Sequence, residues 1–193
     1  MTYKELVAVY EKLESTTKRL EKTYHIAQLL KKSTDKEIPV LMLLLQWIIF
    51  PAWEEKKIGV AARLVLKAIN VATGIDTKKI EKEWKDTGDL GKVAENLVAR
   101  KKQATLFSRE LSIEKVYNNL KLLADLTGQG TVDRKVKLIA ELLTSAKPNE
   151  AKYIIRTVLE DLRVGAGEGV LRDSIVSAYF PAIYGVSDYC INC

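Results

Sequence analysis

The chain has 193 residues, of which 47% are apolar and 29% are charged, and its formal net charge at pH 7 is +6. This length fits one domain, or one domain built from two similar halves, and the composition supplies a sizeable core while excluding a disordered or fibrous chain. The moderate basic excess permits nucleic-acid binding without requiring it, and all of it precedes Asp173, because no Lys or Arg follows that residue.

The N-terminus lacks the basic and then apolar pattern of a signal peptide, and Thr2 with Glu5 predicts a capping box that opens a helix. The longest apolar run, Ile38 to Phe50, is interrupted by Pro39 and Gln46. It is shorter than the roughly 20 residues of a spanning helix, so we predict a buried core helix and no membrane. Two cysteines without a secretion signal indicate a reducing compartment, and we expect a cytoplasmic protein.

Apolar residues recur with helical periodicity along almost the whole chain, and strand signals are nearly absent. The first half predicts four successive helices, which run near Leu6–Leu13, near Leu20–Leu30, over Ile38–Phe50 and over Gly59–Ala72. Asp76 and Asp89 are suitable N-caps for two short helices that follow. Residues 100–112 have no clean period and predict a connecting loop.

The pattern begins again after this loop, which predicts an internal duplication. Three groups of positions recur in the same order: Leu6, Val9, Tyr10 and Leu13 as Ile113, Val116, Tyr117 and Leu120; Ile26, Ala27, Leu29 and Leu30 as Ile139, Ala140, Leu142 and Leu143; and Gly59, Leu64, Val65, Ile69 and Ala72 as Gly165, Val170, Leu171, Ile175 and Ala178. We therefore predict an all-α, compact domain of about ten helices over residues 1–182. Its two similar, pseudo-two-fold-related halves cover about 1–100 and 110–182, and 183–193 form a tail or the start of a linker.

A glycine-rich joint between two predicted helices, Leu162 to Asp173, has glycines at three alternate positions, Gly165, Gly167 and Gly169. Glycine destabilises helices, so three in one joint indicate either a tight packing turn or a surface that a partner approaches closely. The flanking arginines, Arg163 and Arg172, suit a phosphate-bearing partner. The repeat gives this joint a counterpart at residues 57–60.

The sequence offers no constellation of catalytic residues. His25 is the only histidine, which excludes a multi-histidine metal site. It lies beside Ile26 on the second predicted helix, where we expect a structural role and not a place in a Ser-His-Asp triad. Cys190 and Cys193 form a single Cys-x-x-Cys pair, which is half of a zinc site or part of a disordered tail. There is no glycine-rich phosphate loop, and the acidic residues are scattered among lysines. We predict no catalytic residue, no metal and no cofactor for this chain.

Basic residues cluster near predicted helix starts and along the helix that precedes the glycine-rich joint. These clusters are Lys18, Arg19 and Lys22; Arg100, Lys101 and Lys102; Arg134, Lys135 and Lys137; and Lys152, Arg156 and Arg163. At a helix start, the partial positive charge of the backbone adds to that of the side chains, which favours phosphate binding. The alternative for each cluster is a solubilising helix face.

Six segments carry a resemblance to a known family: Tyr10–Glu14, Ala72–Asp76, Thr87–Gly91, Leu126–Gly130, Glu150–Tyr153 and Leu162–Asp173. With them the sequence closely resembles, from about Tyr3 to Phe180, the N-terminal DNA-binding domain of archaeal ATP-dependent DNA ligases. The last two segments are the specific ones, and the shorter pieces are weak alone.

The resemblance implies an all-helical domain that binds nicked double-stranded DNA over the minor groove, on both sides of the nick. Arg19 matches a basic residue of the family near the second helix, and Arg163, Gly165 and Glu168 match the minor-groove turn. Together with the basic clusters, this gives the predicted DNA-binding set: Thr17, Lys18, Arg19, Lys57, Gly59, Lys101, Lys102, Ser112, Lys135, Lys152, Arg156, Arg163, Val164, Gly165 and Gly167.

Full-length members of the family carry a Lys-x-Asp-Gly motif whose lysine takes AMP, and this motif is absent here. We therefore expect an excised or truncated domain, or else a natural stand-alone protein, whose partners are nicked DNA and the catalytic domains of the same ligase. ATP and Mg²⁺ are expected only for those catalytic domains, and we expect a monomer that serves DNA replication, repair and recombination. The alternative function is an all-helical protein-interaction scaffold that does not bind DNA.

Overall fold

A computed structural model describes residues 1–100, 110–128, 130–161, 164 and 166–180. Within these ranges the chain forms ten helices: α1 Tyr3–Ser15, α2 Arg19–Lys32, α3 Ile38–Leu45, α4 Ala62–Thr73, α5 Thr77–Thr87, α6 Leu90–Ala99, α7 Ile113–Asp125, α8 Thr131–Ser145, α9 Pro148–Val158 and α10 Glu168–Tyr179. The only β-type pairing among these residues is an isolated bridge between Thr2 and Ser112. The prediction of an all-α domain of about ten helices is confirmed.

Local sequence signals explain where several helices begin. The backbone N–H and the hydroxyl of Thr2 both donate to Glu5 Oε2 at 2.8 Å. This is the predicted capping contact between Thr2 and Glu5 at the start of α1. The carboxylates of Asp76 and Asp89 accept backbone N–H groups at the starts of α5 and α6, as predicted. Pro148 is the first residue of α9, where its missing N–H costs nothing.

Three predicted helix bounds are wrong because a residue with a left-handed backbone lies inside each predicted range. Helix α3 ends at Leu45 and not at Phe50, since Trp47 has a φ of 54°. Helix α4 begins at Ala62, because Gly59, with a φ of 58°, is left-handed. Helix α9 ends at Val158 and not near Leu162, and Glu160 beyond it has a φ of 55°.

The helices pack across the two halves in a reciprocal way. Helix α2 packs along α10 while α4 packs along α8, and α1 contacts α9 while α3 contacts α7. At the bridge, Tyr3 N–H donates to the carbonyl of Leu111 at 2.7 Å, and Ile113 N–H donates to that of Met1 at 3.3 Å. Two halves related by a two-fold axis would make such exchanges, and the axis itself stays a prediction.

The buried positions of corresponding helices match. Helices α2 and α8 bury five matching positions each, which are Thr23, Ile26, Ala27, Leu29 and Leu30 in the first and Val136, Ile139, Ala140, Leu142 and Leu143 in the second. In α1 and α7 the buried sets align Tyr3, Leu6, Tyr10 and Leu13 with Ile113, Val116, Leu120 and Leu123. This register differs from the predicted one by about one helical turn, because apolar residues at helical spacing also align one turn away.

The core is continuous and contains side chains from all ten helices. Tyr10 and Tyr153 lie near its centre, with ring centroids 5.1 Å apart, and the Tyr10 hydroxyl donates to the carbonyl of Leu44 at 2.8 Å. Helices α6 and α9 approach so closely at Gly91 that a Cβ there would lie 2.7 Å from the carbonyl oxygen of Lys152. This contact fixes α9, the helix that leads into the glycine-rich joint.

Candidate nucleic-acid interface

The starts of α2 and α10 lie side by side, although they are far apart in sequence. The guanidinium group of Arg19, on α2, forms an ion pair with the carboxylate of Asp173, on α10. The Lys22 ammonium donates to the carbonyl of Val164 at 3.0 Å. At the far ends of the same two helices, the Tyr179 hydroxyl donates to the carbonyl of Leu30 at 3.1 Å. The two helices therefore run parallel, and both N-termini point the same way.

Neither helix start has a side-chain cap. The N-cap of α2 is Lys18, whose side chain accepts no hydrogen bond from the first turn, and that of α10 is Gly167, which has no side chain. The first N–H groups of both helices therefore keep their partial positive charge, which adds to that of the nearby basic side chains. An anion is the ligand that such an arrangement attracts.

The predicted residues at this junction differ in exposure. Thr17, Lys18, Arg19 and Gly167 are exposed. Lys18 forms an ion pair with Glu21 at 2.8 Å, and its own side chain is 77% exposed. In contrast, Val164 is buried as a whole residue, and its carbonyl accepts a hydrogen bond from Lys22, so it offers no surface to a partner.

A second group of predicted residues lies around α4 and α8, which pack along each other. Lys57 and Gly59 are exposed in the segment before α4, and Lys135 is half-buried in the first turns of α8. The N-caps of these helices are Ala61 and Gly130, which have no side-chain acceptor for the first N–H groups. Among the residues that the structure describes, Lys57 and Lys135 form no ion pair, so this group carries uncompensated cations.

Arg156 is among the predicted DNA contacts, but the structure places it in the interior, with 3% of its side chain exposed. Its Nη2 lies 2.6 Å from Asp89 Oδ2 and its Nη1 lies 3.1 Å from Glu14 Oε1. Arg156 is buried because α9 packs between α1 and α6 and is enclosed on nearly every side. The periodicity of α9 gave no signal of this burial, because its aliphatic residues share one face and Arg156 lies on the opposite, polar side.

Lys152 also belongs mainly to this network. Its ammonium lies 2.8 Å from Glu14 Oε2, and 13% of its side chain is exposed. The hydroxyl of Tyr153 donates to the same carboxylate oxygen at 2.7 Å. Glu14 thus gathers three donors from α9, and Lys152 is a weaker candidate for a DNA contact than the exposed lysines.

The network shifts the acidity of both carboxylates. Partial burial raises the pKa of Glu14, but hydrogen bonds from Lys152, Tyr153 and Arg156 outweigh it and lower this pKa to about 2. Burial likewise opposes ionisation of Asp89, yet the guanidinium of Arg156 and two backbone N–H groups lower its pKa below the usual range. Both groups are therefore ionised at neutral pH, Asp89 within the core and Glu14 at its edge, with 30% of its side chain exposed.

Ser112 is exposed but has a structural task. Its hydroxyl accepts the backbone N–H of Lys115 at 3.1 Å and so caps α7, and its backbone pairs with Thr2. Lys101, Lys102, Arg163 and Gly165 lie outside the described residues, as do Cys190 and Cys193.

Within the described ranges, no helix combines the length and the apolar composition needed to cross a bilayer. In the same ranges, His, Cys, Asp and Glu residues nowhere gather in threes as they do around a metal ion.

Comparison with known proteins defines the family. The family model for the DNA ligase N terminus matches residues 2–176. The DNA ligase of Methanothermobacter thermautotrophicus is 47% identical over 180 residues, and the match covers 93% of this chain and 32% of that protein. The DNA ligases of Thermococcus fumicolans and Archaeoglobus fulgidus are 42% and 36% identical, again over 93% of this chain and 32% of theirs.

The chain therefore belongs to the DNA ligase N-terminus family, and the predicted resemblance to archaeal DNA ligases is confirmed. It spans about a third of the length of these relatives.

Replacing Arg156 by Ala should destabilise the fold and leave the DNA affinity of the folded fraction nearly unchanged. The change leaves the carboxylates of Asp89 and Glu14 without their guanidinium partner, which costs about 3–5 kcal/mol in buried pairs. Urea unfolding gives the loss, and Lys152→Ala, at a more exposed position with one ion-pair partner, should lose less. Normal stability combined with weakened DNA binding would return Arg156 to the list of DNA contacts.

The stability of the domain should fall as the pH drops from 4.5 towards 2. Because the pKa of folded Glu14 is about 2 and its ordinary value is 4.5, its contribution is complete above pH 4.5 and is lost as the carboxylate protonates. Urea unfolding at several pH values should therefore give a shallower acid dependence for Glu14→Gln than for the unchanged protein. The same substitution at Glu81, which is exposed and outside the network, is the matched control. Equal acid dependence of the Glu14 variant and the unchanged protein would refute this role.

Proposed function

We propose that this domain binds nicked double-stranded DNA independently of sequence, through the minor groove and the phosphate backbone. It acts as the N-terminal DNA-binding domain of an archaeal ATP-dependent DNA ligase in DNA replication, repair and recombination. The observation that carries this proposal is the junction of α2 and α10, where two parallel helices without side-chain caps start beside Lys18, Arg19 and Arg172.

Gly167 supports the approach of a partner at this junction. Its φ of −74° is open to any residue, and a Cβ at this position would meet no atom within 4 Å. As far as the described residues show, neither the backbone angle nor the packing requires glycine there. Glycine is, with Ser, Thr, Asp and Asn, a common N-cap residue, and the bare backbone that it leaves at this site fits close contact with a sugar-phosphate chain.

The other expected partners are the remaining domains of the same ligase. In this proposal they bind ATP and Mg²⁺ and perform the ligation, while the present domain contributes affinity and holds the duplex. The expected setting is the cytoplasm, with the domain acting as a monomer.

Binding should weaken steeply as the salt concentration rises, because phosphate contacts release condensed counterions. Fluorescence anisotropy of a labelled nicked duplex, titrated at several salt concentrations, should give a linear fall of log K against log salt. Two duplexes of unrelated sequence should give the same curves. Undetectable or salt-insensitive binding would instead favour the protein-interaction scaffold.

Replacing Gly167 by Asn should maintain or raise stability and lower DNA affinity by about tenfold or more. Asparagine is a favourable N-cap, so α10 gains a hydrogen bond, whereas the new side chain occupies the space through which the sugar-phosphate chain approaches; the loss of one good contact, about 1.4 kcal/mol, corresponds to tenfold. Unfolding and anisotropy measure the two effects separately. Gly74→Asn, the same change at another exposed helix end, should leave affinity unchanged. Wild-type affinity in the Gly167 variant would show that DNA does not approach this backbone.

A further inference from the structure

We infer that Asp173 is a positioning residue for DNA: its carboxylate holds the guanidinium groups of Arg19 and Arg172 together, so that they meet the sugar-phosphate backbone as a pair. This inference rests on the proposed function of the α2–α10 junction. It assigns to an acidic residue a favourable part in binding a polyanion, which the charge of Asp173 alone would not suggest.

The contacts define the arrangement. One carboxylate oxygen of Asp173, Oδ2, forms the ion pair with Arg19 Nη2, and the other, Oδ1, lies 3.5 Å from Arg172 Nε. Arg19 comes from α2 and Arg172 from α10, so a single carboxylate bridges cations from two helices of different halves of the chain. Each oxygen has its own arginine.

Exposure decides which charges a partner meets first. The side chain of Asp173 is 17% exposed, whereas those of Arg19 and Arg172 are 58% and 75% exposed. The carboxylate therefore lies beneath the two guanidinium groups, and the trio presents a net positive charge outwards. A phosphate that approaches the junction encounters cations before it encounters the anion.

Besides its ion pair with Asp173, the Arg19 side chain contacts the backbone of α10. The Arg19 Nη2 atom lies 3.4 Å from the place where a Cβ of Gly169 would be, so the guanidinium group rests against the bare first turn of that helix. A side chain that is fixed before binding loses less conformational freedom when the ligand arrives. Asp173 and Gly169 together give Arg19 one orientation in advance.

Glu168 provides an internal contrast. It is also on α10, it is exposed, and within the described part of the chain it forms no ion pair. Its carboxylate holds no cation and faces solvent, so towards DNA it contributes only repulsion. Removing the charge of Glu168 should thus strengthen DNA binding, while removing that of Asp173 should weaken it, although both changes raise the net charge by one.

The test compares the affinities of the unchanged protein, Asp173→Asn and Glu168→Gln for a labelled nicked duplex by anisotropy at several salt concentrations. We expect Asp173→Asn to weaken binding by about threefold to fivefold, the size of one well-placed ion pair, and Glu168→Gln to tighten it. The slope of log K against log salt should become shallower by about one for Asp173→Asn if Arg19 no longer reaches its phosphate. Tightening by Asp173→Asn, as for Glu168→Gln, overturns the inference.

A double-mutant cycle shows whether Asp173 acts through Arg19. In an Arg19→Ala background, Asp173→Asn should cost clearly less affinity than it does in the unchanged protein. An equal loss in both backgrounds overturns the inference, because Asp173 would then act without Arg19. Asp173→Glu, which keeps the charge, should recover at least half of the lost binding free energy, and no recovery counts against positioning.

Two controls separate the role of Asp173 from a folding defect and from a failure of the proposed DNA binding. Titration at protein concentrations far above Kd gives the fraction of protein that can bind. A folding defect in Asp173→Asn therefore appears as a lower fraction and not as a changed salt slope. If such a defect is found, Asp173→Glu and the comparison in the Arg19→Ala background decide whether Asp173 positions Arg19. If the unchanged protein does not bind the duplex, the proposed function fails. If the unchanged protein binds and Asp173→Asn tightens binding, only the role of Asp173 fails.

Discussion

The rest of the structure depends on the ion pairs of the buried Arg156 guanidinium group. This group joins α9 to α6 through Asp89 and to α1 through Glu14, at distances of 2.6 and 3.1 Å. Asp89 also accepts the first N–H groups of α6, so one carboxylate both starts a helix and binds it to its neighbour. A buried cation is stable only when carboxylates pair with it and accept its hydrogen bonds. Because the carboxylates come from α1 and α6, this pairing fixes α1, α6 and α9 relative to one another.

The candidate DNA site inherits its geometry from this interior. Helix α9 is held by the ion-paired network and by the close approach of α6 at Gly91. The chain that leaves α9 reaches α10 through the glycine-rich joint, and α2 holds that joint through Lys22 and Arg19. The starts of α2 and α10, which come from distant segments, are therefore held together by the protein itself, which would lower the cost of the proposed DNA binding.

The sequence was sufficient for the existence and order of the helices and for most of their caps, because periodicity and capping are local. It was insufficient where tertiary contacts decide. The left-handed backbone at Trp47 has no local signal, since non-glycine residues rarely adopt it. Arg156 was misplaced because a charge usually indicates a surface, and the pairing of Arg19 with Asp173 joins residues in different halves of the chain, a contact that no short motif encodes.

Glycines that look alike in the sequence have different physical causes in the structure. Gly59 is explained by its left-handed backbone, whereas at Gly169 a Cβ would come into contact with the guanidinium group of Arg19, 3.4 Å away. Gly167 has neither cause, since its φ is ordinary and the space beside it is open. Within the described residues, Gly167 is thus, of these three glycines, the one whose bare backbone stays accessible to a partner. The expectation that something approaches the joint closely thus divides in two: at Gly169 an arginine of the protein itself does so, and at Gly167 the space is left for the proposed DNA.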